Sequence, residues 1–190
     1  MNVIYENLRN KLRFKEIPDS EIIQEMEYKY PRFDINWTYN NNDWTLLMMA
    51  VVCNREELVE YLLMVPGINV NHKDNDGSTA LMSCSNKVVL LNSLLSCRDI
   101  NVNIQNNDGW TGLHRVCYWG YEACVKELLL DARINTSIRD NQGKTARDIA
   151  IRDRHLGIAN MIKRTGRTSL LRIQNNTLLY DIVRMIIEEY

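Results

Sequence analysis

The sequence of 190 residues has few prolines, an odd number of cysteines without paired spacing, and no long apolar run. A membrane-spanning helix needs about 20 apolar residues, and no such stretch occurs. The N-terminal stretch MNVIYENLRNKLRFKE mixes charges throughout, so we expect no secretion signal there. Five cysteines without paired spacing favour reduced thiols. Together these absences predict a soluble protein of the cytoplasm or the nucleus, without a membrane segment.

Residue patterns for catalysis and cofactor binding are also missing. The sequence has no phosphate loop or dinucleotide fingerprint, and no nucleophile with a partner base. His114, Cys117 and Cys124 fall on neighbouring predicted helical turns and invite a zinc or thiol-catalysis interpretation. A further ligand at finger-like spacing is lacking, which favours buried structural side chains. We therefore predict no enzyme activity, no cofactor and no metal site.

The net formal charge of −1 conceals an uneven distribution of charge. Residues 133–172 contain ten Lys and Arg against three Asp. Such an excess suits an acidic partner or a nucleic acid. However, the basic residues follow helical patterns and are not grouped with aromatics, which favours a solvated face. Nucleic-acid binding stays open as a hypothesis, and a steep loss of affinity with salt would indicate it.

What the sequence does contain is one unit that occurs four times. Polar turns with the sequences NNNDWT, DNDGST, NNDGWT and DNQGKT end on threonines spaced 34, 32 and 34 residues apart: Thr45, Thr79, Thr111 and Thr145. A structural unit that cannot bury its own apolar face must be repeated and stacked. The repeated turn therefore predicts a solenoid.

Each unit repeats the same order of elements. Gly77, Gly109 and Gly143 occupy a turn position that requires a positive φ, and Asp43 stands there in the first unit. Each threonine is predicted to cap a short inner helix of about two turns. An outer helix with apolar residues three and four apart follows, as in REELVEYLLMV. An extended return stretch such as INVN then leads to the next turn.

The pattern D-x-x-G-x-T-x-L-H, with two short helices and a return loop at about 33 residues, resembles the ankyrin repeat. The resemblance covers residues 36–165 and is clearest at Gly109, Thr111, Leu113 and His114. It implies an all-α solenoid of helix-turn-helix units that binds another protein and has no catalytic role. It also implies that His114 is a structural, hydrogen-bonded histidine.

Some positions depart from the family pattern. Proline usually follows the threonine, and the residues found there are Leu46, Ala80, Gly112 and Ala146. The histidine of the family pattern is present in the third unit, as His114. The other three units have Met48, Met82 and Asp148 at this position. The second unit is two residues short and lacks the glycine between its helices. We expect the inner helices to lose a preset φ at their first turn, and the second unit to be locally adapted.

The two ends are predicted to cap the stack. Residues 1–35 combine the helical pattern PDSEIIQEMEYKY with PRFDIN, a copy of the return stretch, and so indicate a degenerate repeat. Residues 166–190 include the apolar pattern NNTLLYDIVRMIIEEY, which predicts a capping helix. The same stretch resembles the start of an F-box-type motif without its usual proline. This resemblance implies an alternative function, a substrate adaptor of a cullin ubiquitin ligase.

In the ankyrin family, the turn tips and inner helices line a concave face that binds partners. The exposed positions of that face, transferred unit by unit, give these candidate partner-binding residues: Trp44, Lys73, Asn75, Ser78, Asn107, Trp110, Tyr118, Trp119, Arg139, Lys144 and Arg152. Exposed aromatics carry a large share of interface energy. The alternative for Tyr118 and Trp119 is packing on the adjacent unit, beside the shortened second repeat. The aromatic third unit and the basic fourth unit predict a partner with an apolar anchor and an acidic flank.

Overall fold

The structure, a computed structural model, describes residues 2–14, 16–29, 34–39, 42–84 and 86–164. Within these ranges the chain is helical apart from turns and one pair of two-residue strands. Every helix there falls short of the length and apolarity that a membrane crossing demands. The C-terminal segment with the predicted capping helix and F-box-like motif lies outside the described residues, so both interpretations of it stay predictions.

Helices alternate between two layers along the chain. The inner helices are α1 (Asn2–Arg13), α3 (Leu46–Val52), α5 (Ala80–Ser83), α7 (Gly112–Trp119) and α9 (Ala146–Arg152). The outer helices are α2 (Asp19–Lys29), α4 (Glu56–Met64), α6 (Val88–Ser96), α8 (Glu122–Leu130) and α10 (156–164). Each inner helix packs on the next inner helix, and α2, α4, α6 and α8 pack on one another in the same way. This arrangement confirms the predicted all-α solenoid.

The two layers enclose one continuous apolar core. Leucines at repeating positions of the outer helices are fully buried: Leu58, Leu62, Leu90, Leu94 and Leu128. Their three- and four-residue spacing gives each helix one apolar face, and stacking brings those faces together. The helix pair α1 and α2 joins the same core through Leu8, Leu12 and Ile22. The division of the chain into two caps and four repeats stays a prediction.

The turns before the inner helices have the predicted positive φ. The values are 60° at Asp43, 73° at Gly77, 80° at Gly109 and 74° at Gly143. A hairpin forms at the first turn, where β1 (Thr38–Tyr39) pairs antiparallel with β2 (Trp44–Thr45). The turn residues thus fold as the sequence predicts, because each position requires a backbone conformation that glycine or aspartate tolerates.

All four threonines are helix N-caps, as predicted. Thr111 and His114 form a reciprocal capping box, in which the Thr111 N–H donates to His114 Nδ1 at 3.2 Å. In the fourth unit Asp148 replaces histidine, and its Oδ2 accepts from the Thr145 N–H at 3.0 Å. Within the described chain, the Thr79 side chain forms no capping hydrogen bond. The second unit therefore lacks a bond that stabilises the start of the other inner helices.

The second inner helix is shorter than the sequence suggests. Helix α5 has four residues, whereas α3, α7 and α9 have seven, eight and seven. The prediction of about two turns is thus wrong for this unit. The physical reason is the two-residue deletion, which leaves nine residues from Thr79 to the start of the outer helix at Val88, against eleven from the N-cap threonine to the outer helix in the first and third units.

A ladder of asparagine side chains links the return stretches of successive units. The Nδ2 groups of Asn36, Asn71 and Asn103 donate to the carbonyls of Gly67, Asp99 and Arg133 at 2.8, 2.7 and 2.7 Å. Their Oδ1 atoms accept main-chain N–H groups from Asn69, Asn101 and Asn135. Each amide therefore both donates and accepts across one unit boundary.

Candidate partner-binding face

Three aromatic rings of the third unit lie in contact and are called the aromatic cluster here: Trp110, Tyr118 and Trp119. The centroids of Trp110 and Tyr118 are 5.3 Å apart, and those of Tyr118 and Trp119 are 4.9 Å apart with planes at 79°. Trp110 precedes the N-cap of α7, and the other two rings lie on its last turn. The tilted contact of the first pair, at 57°, and the edge-to-face contact of the second are favourable ring arrangements.

The aromatic cluster is partly open to solvent. Tyr118 is 37% exposed and Trp119 is 55% exposed, whereas Trp110 is half-buried. The guanidinium carbon of Arg152 lies 5.8 Å from the Tyr118 ring centroid, a distance typical of a cation–π contact. Tyr118 is therefore tied to the fourth unit. Trp119 offers the larger free surface.

The aromatic cluster forms one wall of a cavity of about 430 Å³ between the second and third units. The second unit contributes Asp76, Ser78 and Met82 to the cavity lining. The turn of the third unit contributes Asn106, Asn107 and Asp108, and α7 adds Thr111 and Arg115. Met82 is the penultimate residue of the short helix α5, so this cavity lies beside the site of the deletion.

Ser78 differs from its prediction, because the residue is only 7% exposed. The expectation that it is exposed on the concave face was wrong. Its N–H donates to Asp74 Oδ1 at 2.7 Å, and its carbonyl accepts from the Asp74 N–H at 2.9 Å. The tight turn thus holds the Ser78 main chain inward, where its small side chain lines the floor of the cavity.

The other predicted residues of the second and third turns are exposed. Lys73, Asn75 and Asn107 all lie at the surface. The Asn107 Nδ2 donates to the Asn75 carbonyl at 2.8 Å, so this amide also links adjacent turns. The role of these residues in binding stays a prediction.

Trp44 lines a different cavity at the N-terminal end of the stack. This cavity has about 260 Å³ and is lined by Arg9, Leu12, Arg13, Asn42, Trp44, Met49, Val52 and Cys53. The structure thus brings together Ser78, Asn107 and the aromatic cluster, but it does not bring Trp44 into the same cavity.

The predicted basic residues of the fourth unit are exposed, and one of them, Arg152, contacts the aromatic cluster. Arg152 forms an ion pair with Asp153 at 2.7 Å, and its hydrogen bond lowers the pKa of the Asp153 carboxyl. Lys144 and Arg152 line a third cavity of about 320 Å³. Arg139 is exposed and donates to the Gly143 carbonyl at 2.7 Å. Basic side chains are therefore exposed on the fourth unit, two of them beside carboxylates: Arg139 near Asp148 and Arg152 near Asp153.

His114 and the cysteines have structural positions. His114 Nε2 lies 3.2 Å from the Lys144 carbonyl, and burial lowers the pKa of the ring. Burial raises the pKa of Cys84 and of Cys117 to about 12 each, which keeps these thiols protonated and unreactive. In the described ranges, no three His, Cys, Asp or Glu side chains are arranged to hold a metal.

Arg115 is a cavity residue that the sequence reasoning missed. It is half-buried, and its side chain has no hydrogen bond or ion pair with any described residue. The equivalent positions of the other units hold Met49, Ser83 and Ile149. A charged residue at a position that is otherwise apolar or small is the signal that could have identified it.

The fold and this face together define a helical repeat protein of the stacked-solenoid class. A family model of ankyrin repeats in three copies matches residues 19–101 and again residues 84–168. The chain belongs to the ankyrin repeat family. No curated protein matches it. Ankyrin repeats are generally protein–protein interaction modules and are typically non-catalytic.

Proposed function

We propose that the chain binds a partner protein through its concave face, with the aromatic cluster at the centre. The exposure of Trp119 beside the cavity of about 430 Å³ is the observation that carries this proposal. Large rigid side chains bury much area at a small entropic cost, so an exposed tryptophan next to a cavity is typical of a binding hot spot.

The two residues at the end of α7 have different roles in this proposal. Tyr118 contacts Arg152 of the fourth unit, so part of its ring is already in contact with another repeat. Trp119 has the more exposed ring and packs edge-on against Tyr118. We therefore assign Trp119 as the main anchor and Tyr118 as the residue that holds it in place.

The partner has an apolar anchor and an acidic flank. The apolar group packs on the aromatic cluster, and the acidic group faces the basic side chains of the fourth unit: Arg139, Lys144 and Arg152. These residues are exposed, and the Arg152 guanidinium lies over the Tyr118 ring. Charge complementarity of this kind fixes the orientation of a partner more than it adds affinity.

The test compares the proteins captured from a cell extract by the wild type and by the double variant Trp110→Ala and Trp119→Ala, identified by mass spectrometry. We expect the variant to stay folded by circular dichroism and to lose the bound proteins.

The matched control is Met64→Ala with Leu130→Ala. These apolar side chains end two outer helices and are 81% and 79% exposed. The control should retain the partners that the wild type captures. If the tryptophan variant also retains them, the aromatic cluster is not the binding site.

A further inference from the structure

We infer that the cavity beside α5 recognises one peptide chemistry, a bulky apolar side chain with a carboxylate within one or two residues of it. The apolar side chain enters the cavity against Trp110 and Trp119, and Arg115 binds the carboxylate. This inference rests on the proposed function. It adds a specific pocket and a specific cation to the general binding face.

The cavity exists because two features of the second unit remove material. The residue before the N-cap threonine is Trp44, Trp110 and Lys144 in the other units, but it is Ser78 in the second. The inner helix α5 also has four residues where its neighbours α3 and α7 have seven and eight. A missing side chain and a missing turn together leave room for a side chain of another molecule.

Arg115 supplies the charge. A half-buried guanidinium that lacks a partner loses hydration without gaining an interaction, which is unfavourable. Its side chain has no hydrogen bond or ion pair with any residue that the structure describes. A carboxylate satisfies a guanidinium with two parallel hydrogen bonds. The group that best completes this cavity is therefore an Asp or Glu side chain, or a C-terminal carboxylate.

Two carboxylates also line the cavity, and they set the direction of the ligand. Asp76 and Asp108 lie in the turns, each directly before a turn glycine, whereas Arg115 lies within α7. Like charges repel, so a bound carboxylate is directed away from the turns and toward the helix. The apolar side chain then lies beside Trp110, between the turn carboxylates and Arg115.

A methylated lysine fits this cavity less well. Aromatic cages for such cations surround an open space. Here the rings contact one another with centroids 4.9 and 5.3 Å apart. A cation from the protein, Arg152, already lies over the Tyr118 ring.

The experiment selects ligands from a phage-displayed library of random peptides on the full chain. We expect the enriched peptides to share a bulky apolar residue with Asp or Glu within two positions. Isothermal titration calorimetry with the best peptide then measures the variants Ser78→Trp and Asn92→Trp.

Ser78→Trp gives the second unit the side chain that the first and third units carry at this position, and it fills the cavity. We expect at least about tenfold weaker binding. Asn92→Trp adds the same side chain on the exposed face of α6, outside the cavity, and is the matched control, with an affinity within about twofold of the wild type. Ser78→Trp leaves the main-chain bonds to Asp74 in place, and thermal unfolding checks that both variants fold.

A double-mutant cycle tests the cation. Arg115→Ala should weaken the acidic peptide at least about tenfold. The same substitution should have little effect on a peptide in which the acidic residue is changed to its amide, because the two groups are coupled. If Ser78→Trp does not fold, this cycle alone decides the inference.

The outcomes separate the two proposals. If Trp119→Ala abolishes peptide binding but the cavity-filling and Arg115 variants do not, the concave-face proposal stands and the cavity inference is wrong. If none of these variants changes the affinity, both proposals fail. Enriched peptides that carry Lys or Arg in place of the acid would overturn the inference in favour of Asp76 and Asp108. A selection without any binding peptide overturns it as well.

Discussion

Arg55 and Asp19 form an ion pair at the boundary between the first two helices and the first full unit, with Nη1 and Oδ1 3.1 Å apart. Both side chains are largely buried, at 7% and 10% exposed. The guanidinium also donates to main-chain carbonyls at the end of α1 and in the following loop, those of Lys11, Leu12, Phe14 and Ile17. The other carboxylate oxygen of Asp19 accepts from the Leu58 N–H at 3.2 Å.

Basic residues before other outer helices have a similar role. Lys87 Nζ donates to the carbonyls of Val51 and Val52 at the end of α3, both at 2.7 Å. His155 Nε2 lies 3.2 Å from the Tyr118 carbonyl near the end of α7. A positive or polar group from one unit thus satisfies the free carbonyls of the inner helix in the preceding unit.

The first prediction concerns Arg55. Arg55→Ala should lower the free energy of unfolding by about 3 to 5 kcal/mol, because it leaves the buried Asp19 carboxylate without its partner. Urea unfolding measures the loss. Lys126→Ala is the control, since Lys126 pairs with Glu122 at 3.0 Å but both side chains are 58% exposed. Its loss should be about 1 kcal/mol or less, and equal losses for the two variants would refute the importance of burial.

The second prediction concerns pH and His114. Burial lowers the pKa of this ring, so the folded state resists protonation while the unfolded chain titrates near about 6.5. The unfolded state therefore binds more protons as the pH falls through that value, and the free energy of unfolding decreases there. Above about pH 7.5 the ring is neutral in both states and contributes no pH dependence.

Urea unfolding of the wild type and of His114→Gln at several pH values from about 7.5 to 5.5 provides the measurement. The wild type should lose stability with a steeper slope than the variant, by at most about 1.4 kcal/mol per pH unit. Two parallel pH profiles would show that His114 titrates no differently in the folded protein.

The third prediction compares two turn glycines. Both Gly109→Ala and Gly143→Ala place a side chain at positive φ, which costs about 1 to 2 kcal/mol. At Gly109 the added Cβ would lie 2.7 Å from the Asn141 main-chain nitrogen, whose N–H donates to the Asp108 carbonyl. At Gly143 an added Cβ would meet no described atom within 4 Å.

Gly109→Ala should therefore be the more destabilising of the two in thermal unfolding, because it also disturbs the contact between adjacent turns. A larger loss for Gly143→Ala would contradict this explanation.

The fourth prediction concerns the asparagine ladder. Asn71→Asp should lower the free energy of unfolding by about 1 to 3 kcal/mol, because a carboxylate cannot donate to the Asp99 carbonyl. Asn92→Asp on the exposed face of α6 introduces the same charge outside the ladder and should be nearly neutral. Chemical denaturation of both variants provides the comparison, and similar losses would attribute the effect to charge alone.

The parts of the fold that follow local rules were predictable from the sequence. A turn glycine needs a positive φ and a threonine caps a helix wherever the chain makes the same turn, so Gly77 and Thr111 were identified without knowledge of their neighbours. The family resemblance extended these local rules to the stacking of the units.

The candidate site was less predictable, because it depends on what one unit presents to the next. The cavity arises from the short α5 facing Trp110 across a unit boundary, and neither unit reveals it alone. Ser78 is buried through its turn. The Arg115 side chain forms no ion pair with a described residue, although Asp76 and Asp108 line the same cavity. Contacts of this kind between units depend on the three-dimensional arrangement of the chain.

The asparagine ladder also bears on how a stack of this kind can change over evolutionary time. Its amides lie in the return stretches, whereas the deletion of the second unit lies in the helical part between Asn71 and Asn103. Alignment of neighbouring units is therefore set by one set of residues, and the contour of the concave side by another. Mutation can lengthen or shorten an inner helix, and so create a new recognition specificity, while the units remain in register.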